Sequence, residues 1–171
     1  MIMAEHTIPK PDWLNPPETV HAVLCYITRG DEFLLLLKSK GRFGEGFWNA
    51  PGGKINPFEK PEIAVRREVL EETGLEIFET KEMGTLEFYF GKKEIPDWTA
   101  LVFICSKFSG NVTSSPEGEL EWFKKDKLPF DQMWADDKYW LPLLIEGKKF
   151  HGVFVFSSDS KKLLEHKITL A

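Results

Sequence analysis

The sequence has little of what marks a secreted or membrane-bound protein. Its 171 residues contain two cysteines, Cys25 and Cys105, and both lie in apolar, strand-like stretches. Such cysteines are typical of buried free thiols and not of a disulfide framework. No apolar run approaches the roughly 20 residues of a membrane-spanning helix. Residues 1–17 are polar and proline-rich, unlike a signal peptide. We therefore expect a cytoplasmic protein with no membrane partner.

Basic residues are outnumbered by acidic ones. The chain carries 22 lysines and arginines against 27 acids, a net charge of −5. This balance disfavours broad electrostatic binding to a DNA or RNA polymer, but it allows a small polyanion to bind through a metal ion. The length suits one domain. We predict an irregular lead-in over residues 1–17 and a single domain over residues 18–171, and we expect a monomer.

Hydrophobic alternation and turn residues predict short strands and two helices. Strands are predicted at residues 19–28, 32–38, 119–124, 150–156 and 163–169, with more strand material within residues 75–90 and 98–108. Helices are predicted at about residues 61–73 and 137–146, and Pro142 lies near the middle of the second, where a proline kinks or ends a helix. The mixture predicts an α+β fold in which a mixed β-sheet is sandwiched between α-helices.

Residues 53–75 are the most informative segment, because they gather acids on one short helix. Pro61 suits the first turn of that helix, and Gly74 suits the left-handed residue that ends one. Glu71 and Glu72 follow Glu68 at i+3 and i+4, within an arc of about 100°. The helix is therefore predicted to have an acidic face.

The opposite face of this helix is predicted to be apolar, with Ile63 and Leu70 on it. Glu59 precedes the helix and reaches the acidic face from a loop. A solvated acidic surface is the common interpretation of a glutamate-rich helix. The alternative is a Mg²⁺ or Mn²⁺ site, because hard cations prefer carboxylate oxygens and offset the repulsion between them.

Two features beside the acids favour the metal site. Arg67 is placed to hold one carboxylate by a forked pair of hydrogen bonds. Gly52 and Gly53 allow a backbone carbonyl to approach the ion with no side chain in the way. The segment resembles the Nudix box, G-x5-E-x7-R-E-U-x-E-E-x-G-U, where U is bulky and apolar. The matching residues are Gly53, Glu59, Arg67, Glu68, Val69, Glu71, Glu72, Gly74 and Leu75.

The resemblance implies the Nudix fold and Mg²⁺-dependent attack of water on the pyrophosphate of a nucleoside diphosphate derivative. Glu68 and Glu72 are the first candidates for metal ligands, with Glu71 and the Gly53 carbonyl next. Glu117, in a later polar loop, is a candidate to bind the metal or to activate the water. Glu119 is a rival for that loop position, and either acid could instead be an ordinary surface residue.

Further segments narrow the substrate. Residues 129–142 and 148–156, with the aromatic residues near 43, 48 and 88–90, resemble the animal-type oxidised purine nucleoside triphosphatases of the Nudix family. This likeness implies hydrolysis of 8-oxo-dGTP to the monophosphate and pyrophosphate, which removes damaged nucleotides from the pool. The implied base pocket has two parts: polar Asn49, Asp136 and Asp137, and aromatic Phe43, Phe88 and Trp134.

The chemistry of that pocket is consistent with base recognition. Adjacent carboxylates in a dry pocket do not both ionise easily, so one keeps a proton and donates while the other accepts. Aromatic faces stack on a base for roughly 1–3 kcal/mol each. The competing interpretations are that Asp136 or Asp137 caps the following helix and that Trp134 and Phe88 are plain core.

The sequence also departs from the animal-type pattern. Ala50 and Pro51 stand where those enzymes carry Gly-Phe, Trp98 stands near the position of a methionine, and the loop at residues 39–43 is one residue longer. These departures leave open another Nudix substrate: a general dNTP, a nucleotide sugar or a dinucleoside polyphosphate. A Nudix-fold module that binds a nucleotide without cleaving it is a third hypothesis, which the intact box disfavours.

Overall fold

The computed structural model describes residues 19–171, so the predicted lead-in at residues 1–17 lies outside the described residues. The elements are β1 (Val20–Arg29), β2 (Glu32–Lys38), β3 (Trp48–Asn49), β4 (Gly52–Lys54), α1 (Pro61–Thr73), β5 (Glu76–Phe78), β6 (Lys81–Phe90), β7 (Trp98–Cys105), β8 (Lys107–Ser109), β9 (Gly118–Lys124), a 3-10 turn (Phe130–Gln132), α2 (Asp137–Ile145), β10 (Phe150–Phe156) and β11 (Leu163–Leu170). The predicted strands and both helices are confirmed, and α2 continues through Pro142.

The strands form a mixed sheet in the order β11-β10-β6-β7-β1-β2-β3, with β4 paired to β1 and β9 paired to β2. The β1–β7 and β6–β10 pairs are parallel, whereas the other pairs are antiparallel. Strands β5 and β8 form a separate two-stranded sheet. The predicted α+β class is confirmed.

The two helices cover opposite faces of the sheet, as alternation along β1 shows. Val23 and Cys25 belong to the buried cluster that contains Val65 and Val69 of α1. Tyr26 points the other way, into the cluster that contains Trp140 of α2. Because side chains alternate along a strand, one β1 residue faces α1 and the next faces α2. The sheet is thus sandwiched between helices, as predicted.

The apolar face of α1 is not where the sequence pattern placed it. Ile63 and Leu70 are 55% and 53% exposed. The buried residues of the helix are Ala64, Val65, Val69, Glu72 and Thr73. The prediction was wrong because it placed the acids and the apolar residues on opposite faces, whereas Glu72 shares the sheet-facing side with small and β-branched residues. The orientation of the helix therefore places one acid, Glu72, in the protein interior.

Two predictions from composition can be compared with the described residues. Cys25 and Cys105 are both buried and free, as expected. Burial raises the pKa of the Cys25 thiol, so it stays protonated. Within residues 19–171, neither helix is long and apolar enough to cross a membrane.

Candidate active site

One cavity of about 520 Å³ brings most of the predicted site residues together. Those that line it are Phe43, Asn49, Gly53, Glu68, Glu72, Phe88, Glu117, Trp134, Asp136 and Asp137. Arg67 and Glu71 do not line it. The carboxylates near α1 and the acid pair at the start of α2 therefore share one space, although Glu72 and Asp136 are 64 positions apart in sequence.

The paired glycines of β4 allow the acids of α1 to lie against the strand. A Cβ on Gly52 would lie 2.0 Å from the Val23 carbonyl oxygen, and one on Gly53 would lie 2.5 Å from the Glu68 carboxyl carbon. A side chain at position 52 would therefore force the neighbouring strand to move, whereas one at position 53 would displace the Glu68 carboxylate. The Gly52 N–H donates to Glu72 Oε2 at 3.1 Å.

Glu72 is an acid held in a dry position, with 3% of its surface exposed. Burial raises its pKa to about 7, and the charges of Glu68 and Glu117 contribute in the same direction. Lys38 and the Gly52 N–H oppose this rise. Glu72 is therefore poised between its neutral and ionised forms near neutral pH.

Arg67 organises the acids on the outer side of α1. Its Nε donates to Glu59 Oε1 at 2.7 Å and its Nη2 to Glu59 Oε2 at 2.9 Å, the forked geometry that the sequence predicted. Its Nη1 lies 2.7 Å from Glu68 Oε1 and 3.4 Å from Glu71 Oε2. Hydrogen bonds from Arg67 lower the pKa of Glu59 to about 2. Arg67 thus acts on Glu68 from outside the cavity.

The carboxylate oxygens in the cavity are suitable ligands for a divalent cation. Three carboxylates, those of Glu68, Glu72 and Glu117, line the cavity, and the bare Gly53 backbone lies against Glu68. In the arrangement that residues 19–171 adopt, no group of three acid, histidine or cysteine side chains is placed to hold a metal ion. Arg67 offsets part of the acidic charge through its ion pairs with Glu59 and Glu68.

The structure separates the two rival loop acids by position. Glu117 lines the cavity, where its Oε1 lies 2.6 Å from Arg42 Nη1 and its Oε2 lies 3.7 Å from Lys38 Nζ. Glu119 lies on β9, is exposed and does not line the cavity. Sequence reasoning missed Lys38 and Arg42. The only signal was that two cations flank residues 39–41, just after an apolar strand.

Asp136 and Asp137 form the polar end of the cavity and are 2% and 3% exposed. Trp140 Nε1 donates to Asp136 Oδ2 at 2.8 Å, whereas Asp137 Oδ2 has no hydrogen-bond partner among the described residues. Burial raises the pKa of both acids, and the charge of Asp136 raises that of Asp137 further. Asp136 occupies the N-cap position but makes no side-chain capping bond, so the capping interpretation fails.

Aromatic rings line the end of the cavity that contains Asp136 and Asp137. The Phe43 ring stacks on Trp98, with centroids 5.6 Å apart and an interplanar angle of 6°, and it lies 5.4 Å from the Trp134 ring. Phe88 stacks on Phe154 at 5.9 Å. Trp98 was noted in the sequence as a departure but not as a wall. Its ring closes the cavity against Phe43, which is itself 59% exposed.

Comparison with known proteins shows which family has this architecture. The NUDIX domain model matches residues 18–144. The chain belongs to the Nudix family. It is 39% identical to the oxidized purine nucleoside triphosphate hydrolase of Danio rerio over 146 residues, which cover 85% of this chain and 91% of the relative. The corresponding protein of Mus musculus is 37% identical over the same shares.

A solved structure agrees with this assignment. The MutT protein from Bacillus halodurans superimposes with a TM-score of 0.77 at 29% identity, covering 87% of this chain and 97% of that one. The resemblance read from the box is thereby confirmed, and this chain is a Nudix hydrolase with the Nudix fold.

Proposed function

We propose that this Nudix hydrolase cleaves oxidised purine nucleoside triphosphates, such as 8-oxo-dGTP, to the monophosphate and pyrophosphate with Mg²⁺ as cofactor. One observation carries the proposal: a single cavity joins the carboxylates of the box to a buried acid pair walled by aromatic rings. The end with the box carboxylates, the polyphosphate end, is suited to a polyphosphate chain with a cation. The end with the acid pair, the base end, is suited to the hydrogen-bonding edge of a purine. The names of the zebrafish and mouse relatives support the same substrate class.

At the polyphosphate end, Glu68 and Glu72 are the residues that would hold Mg²⁺, with the Gly53 backbone beside them. The ion, when bound, supplies charge neutralisation for the phosphates. Arg67 fixes the Glu68 carboxylate at 2.7 Å. Mn²⁺ suits the same donors. Because Glu71 is 57% exposed in its side chain and outside the cavity, its contribution is smaller.

The attacking water needs a carboxylate nearby to orient it. Glu117 is the acid for this role, because it lines the cavity and is already held by Arg42. Two basic side chains, those of Lys38 and Lys54, line the same cavity and offset the charge of the phosphates. Pyrophosphate leaves once water has attacked phosphorus.

At the base end, the acid pair and Asn49 read the purine edge. The pKa of both acids is raised by burial, so one carboxyl keeps a proton and donates while the other accepts. Asn49 Oδ1 accepts the Ala50 N–H at 2.8 Å, which leaves the amide NH₂ group to donate to the base. Phe43, Phe88 and Trp134 supply stacking surfaces.

One observation favours a second candidate, a Nudix pyrophosphatase for another nucleoside diphosphate derivative. Phe43 and Trp98 stack directly on each other, so no base fits between them without movement of one ring. A substrate whose base binds elsewhere, such as a nucleotide sugar, would leave this stack intact.

Initial rates over a substrate panel separate these candidates. Pyrophosphate release is measured from 8-oxo-dGTP, 2-hydroxy-dATP and dGTP, and AMP formation is measured from ADP-ribose, each with and without Mg²⁺. We expect kcat/KM for an oxidised purine triphosphate to exceed that for dGTP by about tenfold or more, since a polar pocket rejects a base that leaves its groups unpaired. Turnover should vanish without the metal. Faster cleavage of ADP-ribose than of any triphosphate would contradict the proposal.

A further inference from the structure

The loop at residues 39–46, here named the glycine loop, has a backbone that is fixed by its own contacts. Gly41, Gly44 and Gly46 have φ values of 83°, 83° and 79°, which few residues other than glycine adopt without strain. The Arg42 N–H donates to the Ser39 carbonyl at 3.2 Å and the Phe47 N–H to the Gly44 carbonyl at 2.9 Å. The loop therefore presents its side chains in set directions.

Two consecutive residues of the glycine loop reach the two ends of the cavity. Arg42 Nη1 lies 2.6 Å from Glu117 Oε1, at the polyphosphate end. The ring of Phe43 lies among the aromatic walls, 5.6 Å from Trp98 and 5.4 Å from Trp134. Because the two residues are adjacent on a constrained backbone, the base end and Glu117 are mechanically connected.

The glycine loop also holds the backbone of Glu117. The Ser39 N–H donates to the Glu117 carbonyl at 3.0 Å, and Ser39 Oγ donates to the Pro116 carbonyl at 2.8 Å. The Glu117 side chain is 31% exposed, and Lys38 Nζ stands 3.7 Å away, beyond hydrogen-bond distance. Arg42 is thus the group that fixes the direction of this carboxylate.

We propose that Arg42 is a positioning residue for Glu117, and this inference rests on the proposed function. Magnitudes support a positioning role over a stabilising one. The Arg42 side chain is 44% exposed, and ion pairs at such sites add little to stability. A misplacement of about 1 Å in an active site, by contrast, costs about 100-fold in rate. The pair therefore matters through geometry.

The test compares R42A, R42K and the control K40A, which removes one positive charge from an exposed residue of the same loop outside the cavity. With 8-oxo-dGTP, we expect R42A to lower kcat by about 10- to 100-fold while KM changes less than about threefold. R42K should recover part of the loss, and K40A should match the wild type. The double variant R42A/E117Q should be no slower than E117Q, because the two residues act as a unit.

A binding measurement separates positioning from capture of the phosphates. The probe is an 8-oxo-dGTP analogue with an imido bridge between the α and β phosphorus atoms. Its affinity for the protein is measured by titration calorimetry in the presence of Mg²⁺. Unchanged affinity in R42A supports the inference, whereas a loss of affinity beyond tenfold overturns it. If the wild-type protein cleaves 8-oxo-dGTP and R42A has the same kcat, the positioning role of Arg42 is overturned and the proposed function stands. A wild-type protein that cleaves no purine triphosphate refutes both.

Discussion

Replacement of Glu72 by glutamine is expected to lower kcat by about 10³-fold while the protein stays folded. Glutamine keeps an oxygen to accept the Gly52 N–H, the bond that Glu72 makes at 3.1 Å, so the local backbone is retained. It lacks the ionised form that a cation needs. Pyrophosphate release from 8-oxo-dGTP under saturating Mg²⁺ measures the loss, and circular dichroism checks the fold.

The same variant has an expected effect on stability that depends on pH. In the folded protein, the pKa of Glu72 is raised from its ordinary value of 4.5 to about 7, mainly by burial. The folded state therefore binds more protons than the unfolded state between these values, and wild-type stability falls as the pH rises from about 4.5 to 7. Without metal at pH 8, E72Q should be more stable than the wild type by about 3 kcal/mol.

A matched control is E62Q, which changes an exposed acid in the first turn of the same helix. It should retain wild-type turnover and the wild-type dependence of stability on pH. Urea denaturation at pH 5 and pH 8, without divalent metal, supplies the free energies of unfolding. Turnover by E72Q close to the wild-type rate would contradict the assignment of Glu72 to the metal.

The second large effect is expected from Asp136→Asn, which should change substrate ranking more than stability. Asparagine can still accept the Trp140 N–H, a bond of 2.8 Å in the wild type, but it cannot exchange a proton with Asp137. The pair then loses its balance of donor and acceptor. We expect the preference for 8-oxo-dGTP over dGTP, as a ratio of kcat/KM values, to fall by about tenfold or more.

The control for this variant is D131N, an exposed aspartate in the 3-10 turn before α2. It should leave both the ranking and the melting temperature unchanged. An unaltered ranking in D136N, with the fold intact, would show that the acid pair does not read the base.

Much of this architecture was predictable because its signals are local. The bounds of α1 follow from Pro61, which suits a first turn, and from Gly74, which adopts a φ of 76° after the helix. The strands follow from alternation and β-branched residues. Glu68, Glu71 and Glu72 could be placed on one side of the helix because they span less than one and a quarter turns.

The remaining features depend on contacts that no local pattern encodes. The orientation of α1 depends on the close approach of Ala64 and Val65 to the sheet, which left Ile63 and Leu70 exposed. The bond between Arg42 and Glu117 joins residues 75 positions apart. The closing of the cavity by Trp98 against Phe43 likewise depends on the path of β7 beside β1.

The most direct test is a crystal structure with Mn²⁺ and the imido analogue of 8-oxo-dGTP. The anomalous signal of manganese should lie between Glu68 and Glu72, with the phosphates beside it and the oxidised base against Asp136 and Asp137. A nucleotide bound in the cavity with no manganese among these glutamates, or with its base away from the aspartates, would contradict the account.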